Sequence, residues 1–385
     1  MPPAFETAEY RDRVKRLSAQ MEKAGIDTLV LLTEAHMDFL TGYAGRSDYV
    51  PQCAILRAGD ADASLMLRAM DIHCAYPTSY LDRSLVHAYP ESLIGTPARS
   101  PWEAIGARIL EVAGDGRIGV ELGAATFSYG DHQQLTKAMG GRAMVDGTGL
   151  MKKVKVKKSA AELACMRQAG RIADKAFASA LDKLAEGVRQ CDVAAVIHHD
   201  LVAGTPEGGG GPHKPVTMPT GPGVAQAPHL KWTDAPYRKG DQTDFEIGAT
   251  VHRYTCGLSR TTIIGQPNDR LRFVHDAVLE GFEAARAVLN PGARCSDVHR
   301  AFKAAFDRHG IEKASRIGYS IGLDWGDLCF SLQGDDDTVL EPGFTAHLII
   351  GIWEPEDAYV LSETIEVGET RGISLSQTPR ELFVR

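Results

Sequence analysis

Three stretches of this chain concentrate the side chains that move protons and hold charge. The first is Met218-Pro-Thr-Gly-Pro-Gly-Val-Ala-Gln-Ala-Pro-His229. The second runs from Lys239-Gly-Asp-Gln-Thr-Asp-Phe-Glu-Ile-Gly248 through His252-Arg-Tyr254 to Ser259-Arg-Thr-Thr-Ile-Ile264. The third begins at Arg316-Ile-Gly-Tyr-Ser-Ile-Gly322, passes Glu341-Pro-Gly-Phe344 and Ile352-Trp-Glu354, and ends at Ser362-Glu-Thr-Ile-Glu-Val367. Histidines and carboxylates are the usual groups for acid–base and hydrolytic work. His229 is the candidate acid–base group: imidazole titrates closest to neutrality, and a loop after Pro228 presents it well. Cysteine chemistry is less favoured. Cys53, Cys74, Cys165, Cys191, Cys256, Cys295 and Cys329 are scattered, odd in number and form no Cys-x-x-Cys. They suit free thiols in a reducing cytoplasm, not a disulfide framework or a thiolate zinc site.

The elements that must carry these stretches are legible in outline. Over the first 150 residues, helical and strand patterns alternate. Tyr10–Lys23 reads as an amphipathic helix stopped at Gly25, followed by an apolar strand from Thr28. Further strands fall at Cys53, Ala63 and Arg117, with helices at Trp102–Val112 and Ser128–Met139. The alternation predicts an α/β domain. Lys152-Lys-Val-Lys-Val-Lys-Lys158 then reads as a solvated basic linker. Ser159-Ala-Ala-Glu162 forms a capping box that opens a long helix to about Glu186. The second part contains an echo. Gly187-Val-Arg-Gln-Cys-Asp-Val193 and Gly292-Ala-Arg-Cys-Ser-Asp-Val298 share one spacing, and each sits between a long and a shorter helical pattern. That context predicts a duplicated, pseudo-symmetric domain. Glu207-Gly-Gly-Gly-Gly-Pro212 lacks the spacing of a phosphate loop and reads as a flexible loop near the site.

Length and composition bound the function. At 385 residues the chain is expected to form about two domains. Hydrophobic residues are 44% and charged residues 24%, which excludes disordered, collagen-like and rod-like classes. Forty-two basic against 50 acidic residues leave a net charge of −8, a poor match for nucleic acid. No apolar run approaches a membrane span, and the first residues lack a signal-peptide pattern. The expectation is a cytoplasmic protein with a small-molecule substrate.

With the motifs and the duplication together, the chain resembles the pita-bread family of methionine aminopeptidases, prolidases, aminopeptidase P and creatinase. The likeness covers both domains and most of the chain, including Leu375-Ser376 and Pro379-Arg-Glu-Leu382. It implies an α+β protein: a pita-bread domain of duplicated helix–strand halves over 159–385, preceded by a creatinase-like α/β domain over 1–150, with 151–158 as linker. The metallopeptidases of the family hold two metals with two Asp, one His and two Glu. At the matching positions this chain has Glu246, Gly257, Tyr319, Ile349 or a near neighbour, and Glu363. Two carboxylates cannot hold two ions that each want four to six ligands, so the resemblance implies a member without metal or other cofactor.

Creatinases and ectoine hydrolases are the metal-free branches, and the chain is more similar to the latter. The similarity lies in Ala227-Pro-His-Leu-Lys-Trp232, His252–Thr261, Gly318–Leu323 with Asp324-Trp-Gly-Asp327, and Pro379–Val384. It implies hydrolysis of an amidinium carboxylate. On that reading His229, Glu246 and Glu363 are catalytic. His229 moves the proton, Glu246 activates water or attacks carbon itself, and the two carboxylates bind the cation. Tyr319 donates to the substrate or lines its pocket. Arg260 pairs with the substrate carboxylate or fixes a carboxylate of the site. Tyr254, Trp325 and Trp353 are candidate pocket walls, and His252 reads as a satisfied strand residue. Tyr49 or Arg46, in a first-domain loop, reaches a partner's site in the homodimer that the resemblance implies.

Every assignment has a plainer rival: an exposed loop histidine, a solvent-facing Glu246, aromatic residues packed in a core. Glu363 is the least easily explained away, being a charge in a buried final strand. The rival functions are a creatinase-type amidinohydrolase, a metal-dependent Xaa-Pro peptidase and a non-enzymatic binding module.

Overall fold

A computed structural model describes residues 2–95 and 99–385. The chain divides into two compact units, Met1–Val154 and Lys155–Arg385. In the first, six strands form a mixed sheet: β1 (Thr28–Leu31), β2 (Cys53–Arg57), β3 (Ser64–Arg68), β4 (Val86–Tyr89), β5 (Ile118–Val120) and β6 (Met144–Asp146), in the order β4-β3-β2-β1-β5-β6. Helices α1 (Thr7–Ala24), α2 (Glu34–Thr41), α3 (Ile72–Thr78), α4 (Pro101–Ala113) and α5 (Tyr129–Ala138) accompany it. Gly25 ends α1 in the left-handed conformation at φ 63°. Ser100 and Ser128 open α4 and α5 with capping boxes.

The second unit is built on an antiparallel sheet. Its strands are β7 (Gly211–Pro212), β8 (Gln242–Val251), β9 (Tyr254–Ile263), β10 (Gly318–Ser320), β11 (Thr345–Ile352) and β12 (Tyr359–Val367), ordered β10-β11-β12-β9-β8-β7. Short strands β13 (Gly372–Ser374) and β14 (Phe383–Val384) pair with β12 and β9. Following α6 (Thr148–Lys155), two helix pairs flank the sheet: α7 (Ala160–Lys183) with α8 (Gln190–Ala203), and α9 (Asp269–Val288) with α10 (Cys295–Phe306). The echoed motif sits at the same place in both pairs. Gly187 and Gly292 take φ of 83° and 87°, where a side chain would be strained. Arg189 and Arg294 then cap α8 and α10, and each also makes an isolated bridge, to Pro236 and Val339. The sequence duplication is a duplication of structure.

Strand alternation gives this sheet two unlike faces. Leu348, Ile350, Leu361 and Ile365 pack with Val274, Phe282 and Phe302 of α9 and α10 in one apolar core. Phe245 meets Phe177 of α7 edge-on at 5.9 Å. The opposite face carries Asp244, Glu246, Ile349, Gly351 and Val360 and lines a cavity.

Two sequence expectations are corrected here and a third is refined. The basic run is not a solvated linker: Val154 is buried at the end of α6, and Lys155 and Lys158 are buried against Asp327 at 3.2 and 2.7 Å. Burial opposes the Asp327 charge, but the two ammonium groups outweigh it and hold the carboxyl below its ordinary range. The glycine-rich stretch ends as an edge strand, with Gly211 and Pro212 paired to Thr250 and Ala249. His252 is not a strand residue. With Arg253 it forms the two-residue turn between β8 and β9, at φ 47° and 66°. Among the described residues, no helix is long and apolar enough to cross a membrane.

Candidate active site

The cavity on the open face encloses about 490 Å³, within the range of small-molecule sites. Strand β8 supplies its floor. The segment before it folds back as an extra edge: His213 N–H donates to Gly248 O at 2.9 Å, and Thr217 and Glu246 exchange backbone hydrogen bonds. Met218 N–H in turn holds Leu230 O at 3.0 Å, which brings the exposed His229 to the rim. The side wall is aromatic. Trp325 donates its indole N–H to the Tyr319 hydroxyl at 2.7 Å, and Trp353 lies beyond Gly351. Trp325 sits in a loop with two non-glycine residues at positive φ, Asp324 and Leu328. The buried Asp327–lysine cluster holds that strained loop down.

The cavity therefore gathers His229, Glu246, Tyr319, Trp325 and Trp353. The four other sequence candidates do not line it. Glu363 is on the helix face of β12, opposite Leu348 and Leu258. The cavity-facing residue in that register is Ser362, aligned with Ile349 and, through Ser259, with Glu246. One residue along a strand reverses the side chain, and Glu363 falls on the wrong side. Its carboxylate is held by Arg260 and Arg380, each at 2.7 Å. Arg260 is fully buried and spends its other donors on the carbonyls of Ser259, Ser362, Thr378 and Pro379, so it fixes Glu363 and does not reach the cavity. Tyr254 is buried and donates to Glu162 at the head of α7, so it is not a pocket wall. Tyr49 belongs to the first unit; it is exposed, and its hydroxyl accepts from Arg68 at 2.7 Å.

Several cavity residues were not anticipated. Lys313 and Arg316 bring positive charge to the side away from β8. Burial lowers Lys313 to about 8, and its ammonium donates to Ser315 and to Gly351 O. Burial raises Tyr319 to about 12, against the indole hydrogen bond. Asp244 lies two residues from Glu246 on the same face of β8. One carboxyl oxygen accepts from Thr261 and Gln242, while the other has no hydrogen-bond partner. Burial lifts Asp244 to about 7, outweighing those two hydrogen bonds. A raised carboxyl stabilises the fold below its unfolded pKa and loses that contribution as pH rises through the folded value. Asp244→Asn is therefore expected to raise stability at pH 8, by on the order of 3 kcal/mol. The gain should have vanished near pH 3, about a unit below the unfolded carboxyl's ordinary value, where unfolded and folded Asp are both largely protonated. Urea melts at the two pH values test this.

A family model described as metallopeptidase family M24 matches residues 164–376, and one described as the creatinase/prolidase N-terminal domain matches residues 13–156. The chain belongs to the M24 family. Among M24 relatives, an ectoine hydrolase of Halomonas elongata is 33% identical over 394 residues, covering 99% of this chain and 98% of that protein. The uncharacterized hydrolase/peptidase y4tL of Sinorhizobium fredii is 34% identical, covering 100% and 98%. Among solved structures, the Xaa-Pro dipeptidase of Bacillus anthracis superposes with a TM-score of 0.83 at 20% identity, over 98% of this chain and all of that one. The likeness establishes the M24 fold with its creatinase-type first domain.

The M24 name implies metal, and the residues here do not fit a pair of ions. The residues that stand on the cavity side of the sheet at the positions of the family's ligands are Glu246, Gly257, Tyr319, Ile349 and Ser362. One carboxylate, one phenol and one hydroxyl are a poor donor set for divalent cations. The space is also filled. A Cβ on Gly257 would lie 2.6 Å from the His347 ring and 2.7 Å from Trp325. One on Gly248 would lie 2.8 Å from Trp325. Among the described residues, no group of three or more His, Cys, Asp or Glu could hold a metal ion.

Proposed function

We propose that this M24 protein is a metal-independent hydrolase opening a C–N bond of a cyclic amidine that carries a carboxylate, with ectoine as substrate and N-acetyl-2,4-diaminobutyrate as product. One observation carries the reading: where the metal ligands of the fold would converge, Glu246 faces aromatic walls, and Lys313 and Arg316 line the same cavity. Such a site suits a small dipolar ligand. The amidinium lies against Tyr319 and Trp325 and pairs with Glu246. The ligand's carboxylate turns toward Arg316, whose guanidinium stands 4.3 Å from the Tyr319 ring centre, and toward Lys313. Water adds its oxygen to the amidine carbon as Glu246 takes its proton. The ring C–N bond then breaks, and His229 returns a proton to the departing nitrogen. If Glu246 attacks first, its oxygen bonds the amidine carbon, the ring C–N bond breaks as His229 protonates the departing nitrogen, and water then cleaves the acyl-imidate link to give the same amide and free Glu246. The relative named ectoine hydrolase supports the substrate choice, since it matches over nearly the whole of both chains.

Chelator-treated protein tests the reading. Incubation with ectoine, followed by chromatography, is expected to give the acetylated diaminobutyrate at a rate that added Mn²⁺ or Co²⁺ does not raise. Failure on ectoine, with a proline dipeptide cleaved only after metal is added, would replace this reading with a peptidase.

A further inference from the structure

One polar side chain buried behind the cavity wall has no part in the reaction just described. His347 stands in the middle of β11, in a run of Thr345-Ala-His-Leu-Ile-Ile-Gly-Ile352 that is otherwise almost wholly apolar. It is completely buried, and neither ring nitrogen has a hydrogen-bond partner among the described residues. Burying an imidazole without a hydrogen bond is costly, so its presence needs a compensating interaction.

The ring is clamped in place. The Trp325 ring meets it edge-on with centroids 4.9 Å apart, and the Tyr319 ring lies at 5.6 Å. The missing side chain of Gly257 makes room for it. The groups around it are Glu246 on β8, Gly257 on β9, Tyr319 on β10, Thr364 on β12 and Trp325 in the following loop. Of these, Glu246 is the one carboxylate. Its Oε1 lies 3.8 Å from His347 Nε2. Glu246 has no other ion pair or side-chain hydrogen bond shown among the described residues, and only part of it is exposed.

We infer that His347 is a positioning residue for Glu246: its Nε2–H directs one carboxylate oxygen and leaves the other turned to the substrate. This rests on Glu246 as the reacting group proposed above. A reactive carboxylate must be held within a fraction of an ångström, and the rigid, packed imidazole supplies the directional contact that metal coordination would otherwise give. The tautomer with its proton on Nε2 is required.

Two substitutions separate positioning from packing. His347→Phe keeps the ring and its aromatic contacts but has no N–H. It is expected to fold, to lower kcat by about 100-fold and to leave KM within about threefold. His347→Gln keeps a donor close to the Nε2 position and is expected to recover about tenfold of that loss. Wild-type kcat in His347→Phe would overturn the proposal. A second readout needs neither turnover nor a folded His347 variant. In ring-¹⁵N spectra of the unliganded protein, the His347 Nε2 signal is expected to be protonated and to move on Glu246→Gln. A signal that does not move, or a proton on Nδ1 alone, would overturn the inference even if ectoine is hydrolysed. A moving signal in a protein inactive on ectoine would uphold it while the substrate assignment fell.

Discussion

Glu246→Gln is expected to lower kcat on ectoine by about a thousandfold while leaving thermal stability unchanged. The substitution keeps the shape and removes the charge. In the unliganded protein Glu246 holds little up: its side chain is partly exposed, and its nearest ionic neighbour is His347 at 3.8 Å. Its backbone continues to pair with Thr217 and Ser259, since those bonds do not depend on the side chain. The reaction, by contrast, loses both the base and the anionic partner of the amidinium. Binding weakens as well, so kcat/KM falls further than kcat. Calorimetry beside steady-state assays would test both halves; unaltered kcat would remove Glu246 from the mechanism.

Glu363→Gln is expected to do the reverse: unfold the protein more readily, by about 3–5 kcal/mol, before it alters the chemistry. The carboxylate is fully buried between Arg260 and Arg380 and also accepts from the Ser374 hydroxyl. Burial lowers the Arg260 pKa against the pull of Glu363, so this cation depends on its partner. A neutral amide would leave it buried without a counter-charge. A fall in melting temperature on the order of 10 °C would follow for a unit of this size. Residual folded protein should hydrolyse substrate at close to the wild-type rate. A stable but inactive variant would return Glu363 to the catalytic group.

The contrast between these two glutamates shows what the sequence could and could not display. Element types came through well because capping boxes, the Gly25 stop and the repeated Gly-x-Arg-x-x-Asp-Val spacing are local signals. The duplicated architecture followed from that spacing. Which strand residue faces the cavity is a matter of register, and Ser362 and Glu363 differ by one position. A motif match alone preferred the carboxylate, whereas the ladder with Ser259 selects the serine. The rule that a charge in an apolar strand needs a reason was applied to Glu363 but points equally to His347. Asp244 was within reach too, since i and i+2 on a strand share a face with Glu246. Lys313 and Arg316 were not, because they come from a loop whose path is set by packing. The basic run misled because five cations look solvated until a distant aspartate, Asp327, is known to meet two of them.

The filled space above Gly257 bears on the protein's history. Restoring a metal ligand there by a single change to Asp would drive the new side chain into His347 and Trp325. Removing those rings first would cost the aromatic wall and the partner of Glu246 before any ion could bind. A ligand at this position therefore requires several neighbouring positions to change together. On the metal-free reading proposed above, the packing around Gly257 acts as the pawl of a ratchet that blocks a one-step return to a metal ligand.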